Sequence, residues 1–179
     1  MQDWNVVVSV NEKGFREAFR VLSEFGPVSK TDFFNVLVMK VDDIHCMLDS
    51  LRERLQEDPH SLSFLSRLIP AMQTFTFQSA EEFKTKAHEG ILPWAPLLAG
   101  TRFHVRIHRR GFKGRFLSPE EERGLDALLI EAIEKAGTPG SITFDDPDAI
   151  LSIETVSNRA GVSLWTRQDR ERYPFIRLD

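Results

Sequence analysis

The stretch Thr101-Arg-Phe-His-Val-Arg-Ile-His108 alternates at every step and runs on into Arg109-Arg110-Gly-Phe-Lys113-Gly-Arg115. In an extended strand, successive side chains point to opposite faces. Phe103, Val105 and Ile107 therefore share one face, and Arg102, His104, Arg106 and His108 share the other. From Thr101 to Arg115 the chain holds six Lys/Arg, two His and no acidic residue. Arginine suits phosphate because its planar fork can donate to two oxygens at once. The loop from Gly111 to Leu117 carries two glycines, which let backbone amides approach an anion. The competing reading is an edge strand protected by charge, or a face neutralised by acids elsewhere in the chain. A solvated face normally mixes signs, so the single-sign run favours an anion-binding surface.

Upstream, Ser79-Ala-Glu-Glu82 has the form of a capping box, so a short helix begins there with Phe83 and Ala87 inward. Lys84 and Lys86 lie on that helix, either as an extension of the basic surface or as ordinary solvated lysines. Gly90 breaks it, and Leu92-Pro-Trp-Ala-Pro-Leu97 is a loop or a last helical turn. Downstream, Ser118-Pro119-Glu-Glu121 marks a second helix start, with serine as N-cap and proline at the first helical position. That helix runs to about Ala136 and buries Leu125, Leu128, Leu129, Ala132 and Ile133. Asp145-Asp146-Pro147-Asp148 admits a metal site or an acid/base pair, but a turn with side-chain-to-backbone bonds is the favoured reading. Ile150 to Val156 and Gly161 to Thr166 read as strands joined by a turn at Ser157-Asn158-Arg159-Ala160. Tyr173 to Leu178 adds a possible terminal strand.

The first third reads β-α-β-α-β, with a further strand possible. Trp4 to Val10 is a strand, and Asn11 is placed to cap a helix carrying Phe15, Ala18, Phe19, Leu22 and Phe25 at helical spacing. Phe33 to Val41 is a second strand. Asp42 or Asp43 caps a helix to Leu55. Leu68 to Phe77 is extended, and its Pro70 suits an edge or a bulge better than a central strand. This order predicts a ferredoxin-like α/β sandwich over residues 1–77, followed by a second domain over 78–179, α+β overall.

The whole chain sets bounds. Its 179 residues are 41% hydrophobic with fourteen phenylalanines, enough for a packed core. No apolar run approaches the roughly 20 residues of a membrane span, and Met1-Gln-Asp-Trp4 lacks a secretory pattern, so a cytoplasmic location is expected. The single Cys46 excludes an internal disulfide and a Cys-rich zinc site. The net charge of −4 is uneven: residues 1–60 hold eleven acids against seven bases, and residues 61–179 hold sixteen of each. Local patches matter more for nucleic acid than the sum. Phosphate-binding glycine loops, a nucleophile elbow and the zinc-deaminase pattern are all missing. His45 and Cys46 are adjacent on a helix and cannot share a face. No enzyme activity, cofactor or metal is expected.

The strand Phe103-His-Val-Arg-Ile-His-Arg-Arg110, the Ser-Pro helix start, the Asp-Asp-Pro-Asp148 turn and the strand Ile150-Leu-Ser-Ile-Glu154 together resemble a THUMP domain. Leu65-Ser-Arg-Leu-Ile-Pro-Ala-Met-Gln-Thr74 and the capped helix after it resemble the segment that precedes this strand in the family. The first domain resembles the ferredoxin-like partner that accompanies THUMP in tRNA-modifying proteins. The resemblance implies tRNA as partner, gripped at its acceptor end. Because the sequence stops at Asp179, it is similar to the stand-alone adaptors that present tRNA to a separate cytidine acetyltransferase. It assigns RNA contact to Arg106, His108, Arg109 and Arg110, with Lys113 and Arg115 as loop extensions; Lys84 and Lys86 are further candidate contacts from the charge pattern alone. A protein-interaction module, its basic strand docked on an acidic partner, is the alternative.

Overall fold

The computed structural model describes residues 3–112 and 118–178. They form two compact units: residues 3–71 with 170–177, and residues 72–112 and 118–169 with 178. The division falls at Ala71 and Met72, inside the stretch the sequence presents as one extended run.

The first unit is built in the order β1 (Val6–Val10), α1 (Phe15–Leu22), β2 (Val28–Lys30), β3 (Val36–Met39), α2 (Ile44–Glu57) and β4 (Leu65–Pro70). The strands pair antiparallel in the order β2-β3-β1-β4. This is the ferredoxin-like βαββαβ arrangement, and β2 is the further strand the sequence left open. It was hard to see because it is three residues long and only half-buried. Valines dominate β1 because both faces of that central strand are buried: Val6 and Val8 on one, Val7 on the other. Pro70 ends β4, an edge strand, where a missing amide proton costs no ladder bond.

Two local expectations change, at Asn11 and at residues 173–178. Asn11 does not cap α1; its Nδ2 donates to the Ser63 carbonyl, and Gly14 occupies the N-cap position. Gly26 is required by contact as well as by its φ of 153°, since a Cβ there would lie 2.0 Å from the Lys40 carbonyl oxygen. Tyr173 to Leu178 is not a strand. Pro174 lacks a donor, and Tyr173, Phe175, Ile176 and Leu178 are all buried, which strict alternation forbids. Asp43 does cap α2, accepting from the Cys46 amide at 2.9 Å.

The second unit contains β5 (Gln73–Thr76), α3 (Ala80–Ile91), a 3₁₀ turn at Leu92–Trp94, α4 (Ala95–Leu98), β6 (Arg102–His108), α5 (Ser118–Lys135), β7 (Ser141–Ile142), β8 (Ala149–Val156) and β9 (Arg159–Thr166). A further helix, α6 (Arg167–Arg172), follows β9. The sheet order is β5-β9-β8-β6-β7; β6 runs parallel to β7 and β8, and the other pairs are antiparallel. Leu68 to Phe77 is thus two strands in two sheets. Phe103, Val105 and Ile107 enter one core with Phe77, Phe83 and Ile91, and with Leu125, Leu129 and Ile133 of α5. Ser79 caps α3 by accepting from the Glu82 amide at 3.1 Å, while Glu82 accepts from the Gln78 amide at 2.7 Å. Gly124 lies within α5, where glycine costs about 1 kcal/mol relative to alanine. A Cβ there would meet nothing within 4 Å.

Candidate nucleic-acid interface

β6 is flanked differently on its two edges. Along one, β8 pairs with it from Phe103 to His108. Along the other, β7 reaches only Arg102 and Phe103. Beyond that point α5 supplies the missing acceptors. The Val105 amide donates to Asp126 Oδ1 at 2.7 Å, and the Ile107 amide donates to Glu122 Oε1 at 2.7 Å. The spacing fits: four residues of helix rise about 6 Å, and two residues of strand about 7 Å. Both carboxylates are buried. Burial pushes the Asp126 carboxyl up to about 7, the Glu122 charge adds to the rise, and the Val105 amide partly offsets it. This pair escaped the sequence reading. Its signal was present, because Glu122 and Asp126 fall on the same helical face as Leu125, Leu129 and Ile133.

The basic face of β6 is real, but it is largely neutralised within the chain. Arg102 takes Asp148 in both oxygens and donates its own amide to the same carboxylate at 2.9 Å. Arg167 donates to Asp148 at 3.0 Å and to Asp146 at 2.7 Å. These cations hold the Asp148 carboxyl down at about 2. The Asp-Asp-Pro-Asp turn is therefore an arginine clamp. Among the described residues, no group of three or more His, Cys, Asp or Glu is placed to hold a metal ion. His104 is buried, with Nδ1 at 2.8 Å from the Thr143 carbonyl.

The other end of β6 is organised by Glu154, which sits opposite His108 in the parallel register and is 2% exposed. His108 Nδ1 lies 3.1 Å from one of its oxygens, and Arg110 Nη1 lies 2.5 Å from the other. The Arg110 amide donates to Thr155 Oγ1 at 2.9 Å, and the Arg110 carbonyl accepts from Ser157. Arg109 donates to the Gly111 carbonyl at 2.7 Å. Gly111 has a φ of 99° and packs against the Ser157 backbone, so this glycine serves chain packing. Phe112 follows, its ring 4.8 Å from Phe77.

Arg106 differs from its neighbours. It is half-buried, faces the same way as His104 and His108, and forms no hydrogen bond or ion pair among the described residues. Lys84 lies 3.4 Å from Glu121, and Lys86 donates to Glu82 at 2.6 Å and to the Thr76 carbonyl at 2.7 Å. Lys113 and Arg115 lie outside the described residues. The structure thus gathers His108, Arg109 and Arg110 at the exit of β6, with Arg106 one step back along the strand. Lys84 and Lys86 lie on α3, each beside its own glutamate.

No family model matches the chain, and no curated protein does. Solved structures do. PH1313 from Pyrococcus horikoshii aligns with a TM-score of 0.56 at 16% identity, covering 91% of this chain and 54% of that one. A 4-thiouridine synthetase solved with RNA and bound ATP aligns with a TM-score of 0.54 at 14% identity, over 92% of this chain and 42% of its own. TrmN from Thermus thermophilus gives 0.53 at 16% identity, over 90% and 44%. The chain therefore spans about half the length of these proteins. At such identities the likeness establishes the fold: α+β, a ferredoxin-like domain followed by a THUMP-type domain. Among the described residues, no helix is long and apolar enough to cross a membrane.

Proposed function

We propose that this chain binds tRNA through the exit of β6 and presents it to a separate tRNA-modifying enzyme, carrying no chemistry itself. The observation that supports this best is the shared fold, which extends over nine-tenths of the chain to a 4-thiouridine synthetase solved with RNA. The basic run supports it further, with Arg109 and Arg110 directly after β6 and Lys113 and Arg115 next in the sequence. Binding is electrostatic on this reading. Arginine and lysine neutralise phosphates and release counterions, and the shape of an A-form stem sets orientation. Glu154 then orients Arg110 and His108 at the end of the strand.

Arg106→Ala is the cleanest test, because no side-chain partner among the described residues is lost. It should weaken tRNA binding and reduce the slope of log affinity against log salt by about one. Arg109→Ala combined with Arg110→Ala should weaken binding further, checked by thermal melting because Glu154 would lose a cation. Unchanged affinity and slope in both variants would remove this face from the interface. A modified base recovered after incubating the protein with tRNA and common donors would overturn the non-catalytic part.

A further inference from the structure

The outer edge of β6 beyond Phe103 is closed by acids, with no strand paired to it among the described residues. The Val105 and Ile107 amides end on Asp126 and Glu122 of α5. Four residues apart on one helix, these carboxylates are neighbours on a shared face, and both are buried. A buried charge ordinarily meets a cation, and this pair meets none among the described residues. The side of β6 turned to α5 presents Phe103, Val105 and Ile107, while His104, Arg106 and His108 lie on its other face. α4 and β7 carry no ionisable side chain. On α3, Lys84 pairs with Glu121, and His88 lines an open groove with Glu120 and Glu121. On α5 itself, Arg123 donates to the Pro119 carbonyl. Two like charges this close do not both ionise readily, so the pair retains a proton. Burial above all, with the Glu122 charge adding, holds the Asp126 carboxyl up at about 7 against its Val105 bond. The start of α5 is also weakly anchored. From Ser118 to Arg123, Glu122 is the one buried side chain, and the apolar anchors Leu125, Leu129 and Ile133 all follow. Gly124 lies between the two carboxylates, where a Cβ would meet nothing within 4 Å, and it weakens the helix there.

We propose that the turns of α5 from Ser118 to Asp126 are a proton-operated latch on the edge of β6: they stay docked while the Glu122–Asp126 pair holds a proton, and they release the Val105 and Ile107 amides when both carboxylates are charged. The sign follows from the docked form binding the proton more tightly. Docking is complete below about pH 4 and is lost as pH rises through about 7. The latch acts on the strand that leads to Arg109 and Arg110, but it does not rest on the RNA reading and can fail independently of it.

The test is amide hydrogen exchange on the full chain, with each rate divided by that of the unprotected amide. Protection at Val105 and Ile107 should fall at least about tenfold between about pH 5 and about pH 8. Throughout that range it should lie below the protection of the β8–β9 ladder. It should also respond little to dilute urea, because a local opening exposes little surface. Asp126→Asn keeps an acceptor for Val105 and removes the titrating proton, so its protection should stay level with pH. Protection at Val105 and Ile107 that does not change with pH in the parent would overturn the proposal. So would values that match the ladder in level and in urea response, the mark of the whole unit unfolding. An Asp126→Asn protein with the parent's pH response would overturn it as well.

Discussion

Asp126 sits where the carbonyl of a neighbouring strand would otherwise be. Its Oδ1 takes the Val105 amide inside the core, so the carboxylate form suffers desolvation that the single backbone bond does not cancel. The pH consequence follows from the direction of that shift. A carboxyl raised from 3.8 to about 7 binds its proton more tightly when folded, so its contribution to stability is full below about pH 4 and is lost as pH rises through 7. Asp126→Asn keeps an acceptor for Val105 and removes the titration. The stability of the variant relative to the parent should rise by at least ~1 kcal/mol between about pH 5 and about pH 8. A difference that does not change with pH would show that burial is not what governs this group. At this scale the sequence was half legible. Alternation alone placed Phe103, Val105 and Ile107 in the core, and they are there. It could not show that His108 and Arg110 would meet Glu154, more than forty residues downstream, because that meeting depends on which strands pair and in which register.

Elements with strong local signals were found, and those defined by tertiary partners were not. The caps at Asp43 and Ser79 are local hydrogen bonds and stand as the spacing predicts. The break between β4 and β5 has no comparable signal, since Ala71 and Met72 look like more of the same extended chain. The C-terminal segment is the clearest case. Aromatic and aliphatic residues at 173, 175, 176 and 178 suggest a strand, yet a side-chain clamp fixes the segment in the first unit. Asp49 of α2 accepts from Tyr173 Oη at 2.9 Å and from Arg172 Nη2 at 2.9 Å, and the Leu68 amide donates to the Phe175 carbonyl. Removing one clamp bond by Tyr173→Phe should cost about 1 kcal/mol and lower the melting temperature by about 2–4 °C. A melting temperature equal to the parent's would mean that apolar burial alone holds the segment.

For the whole molecule, the ferredoxin-like half was legible as an order of elements, needing only its shortest strand, and the second half as a resemblance carried by order and spacing. The net charge of −4 looks adverse to nucleic acid until its excess is located in residues 1–60. Internal pairing of Arg102, Lys84 and Lys86 narrows the proposed contact surface further, to the exit of β6 and the basic residues that follow it in sequence. The central claim is that this limited surface recognises RNA and not merely negative charge. It is tested most directly by titrating the protein against tRNA and against polyglutamate of matched charge density across a salt series. The account predicts tighter binding to tRNA at every salt concentration, with log affinity falling linearly in log salt. Equal or tighter binding to polyglutamate, or a tRNA affinity insensitive to salt, would contradict it.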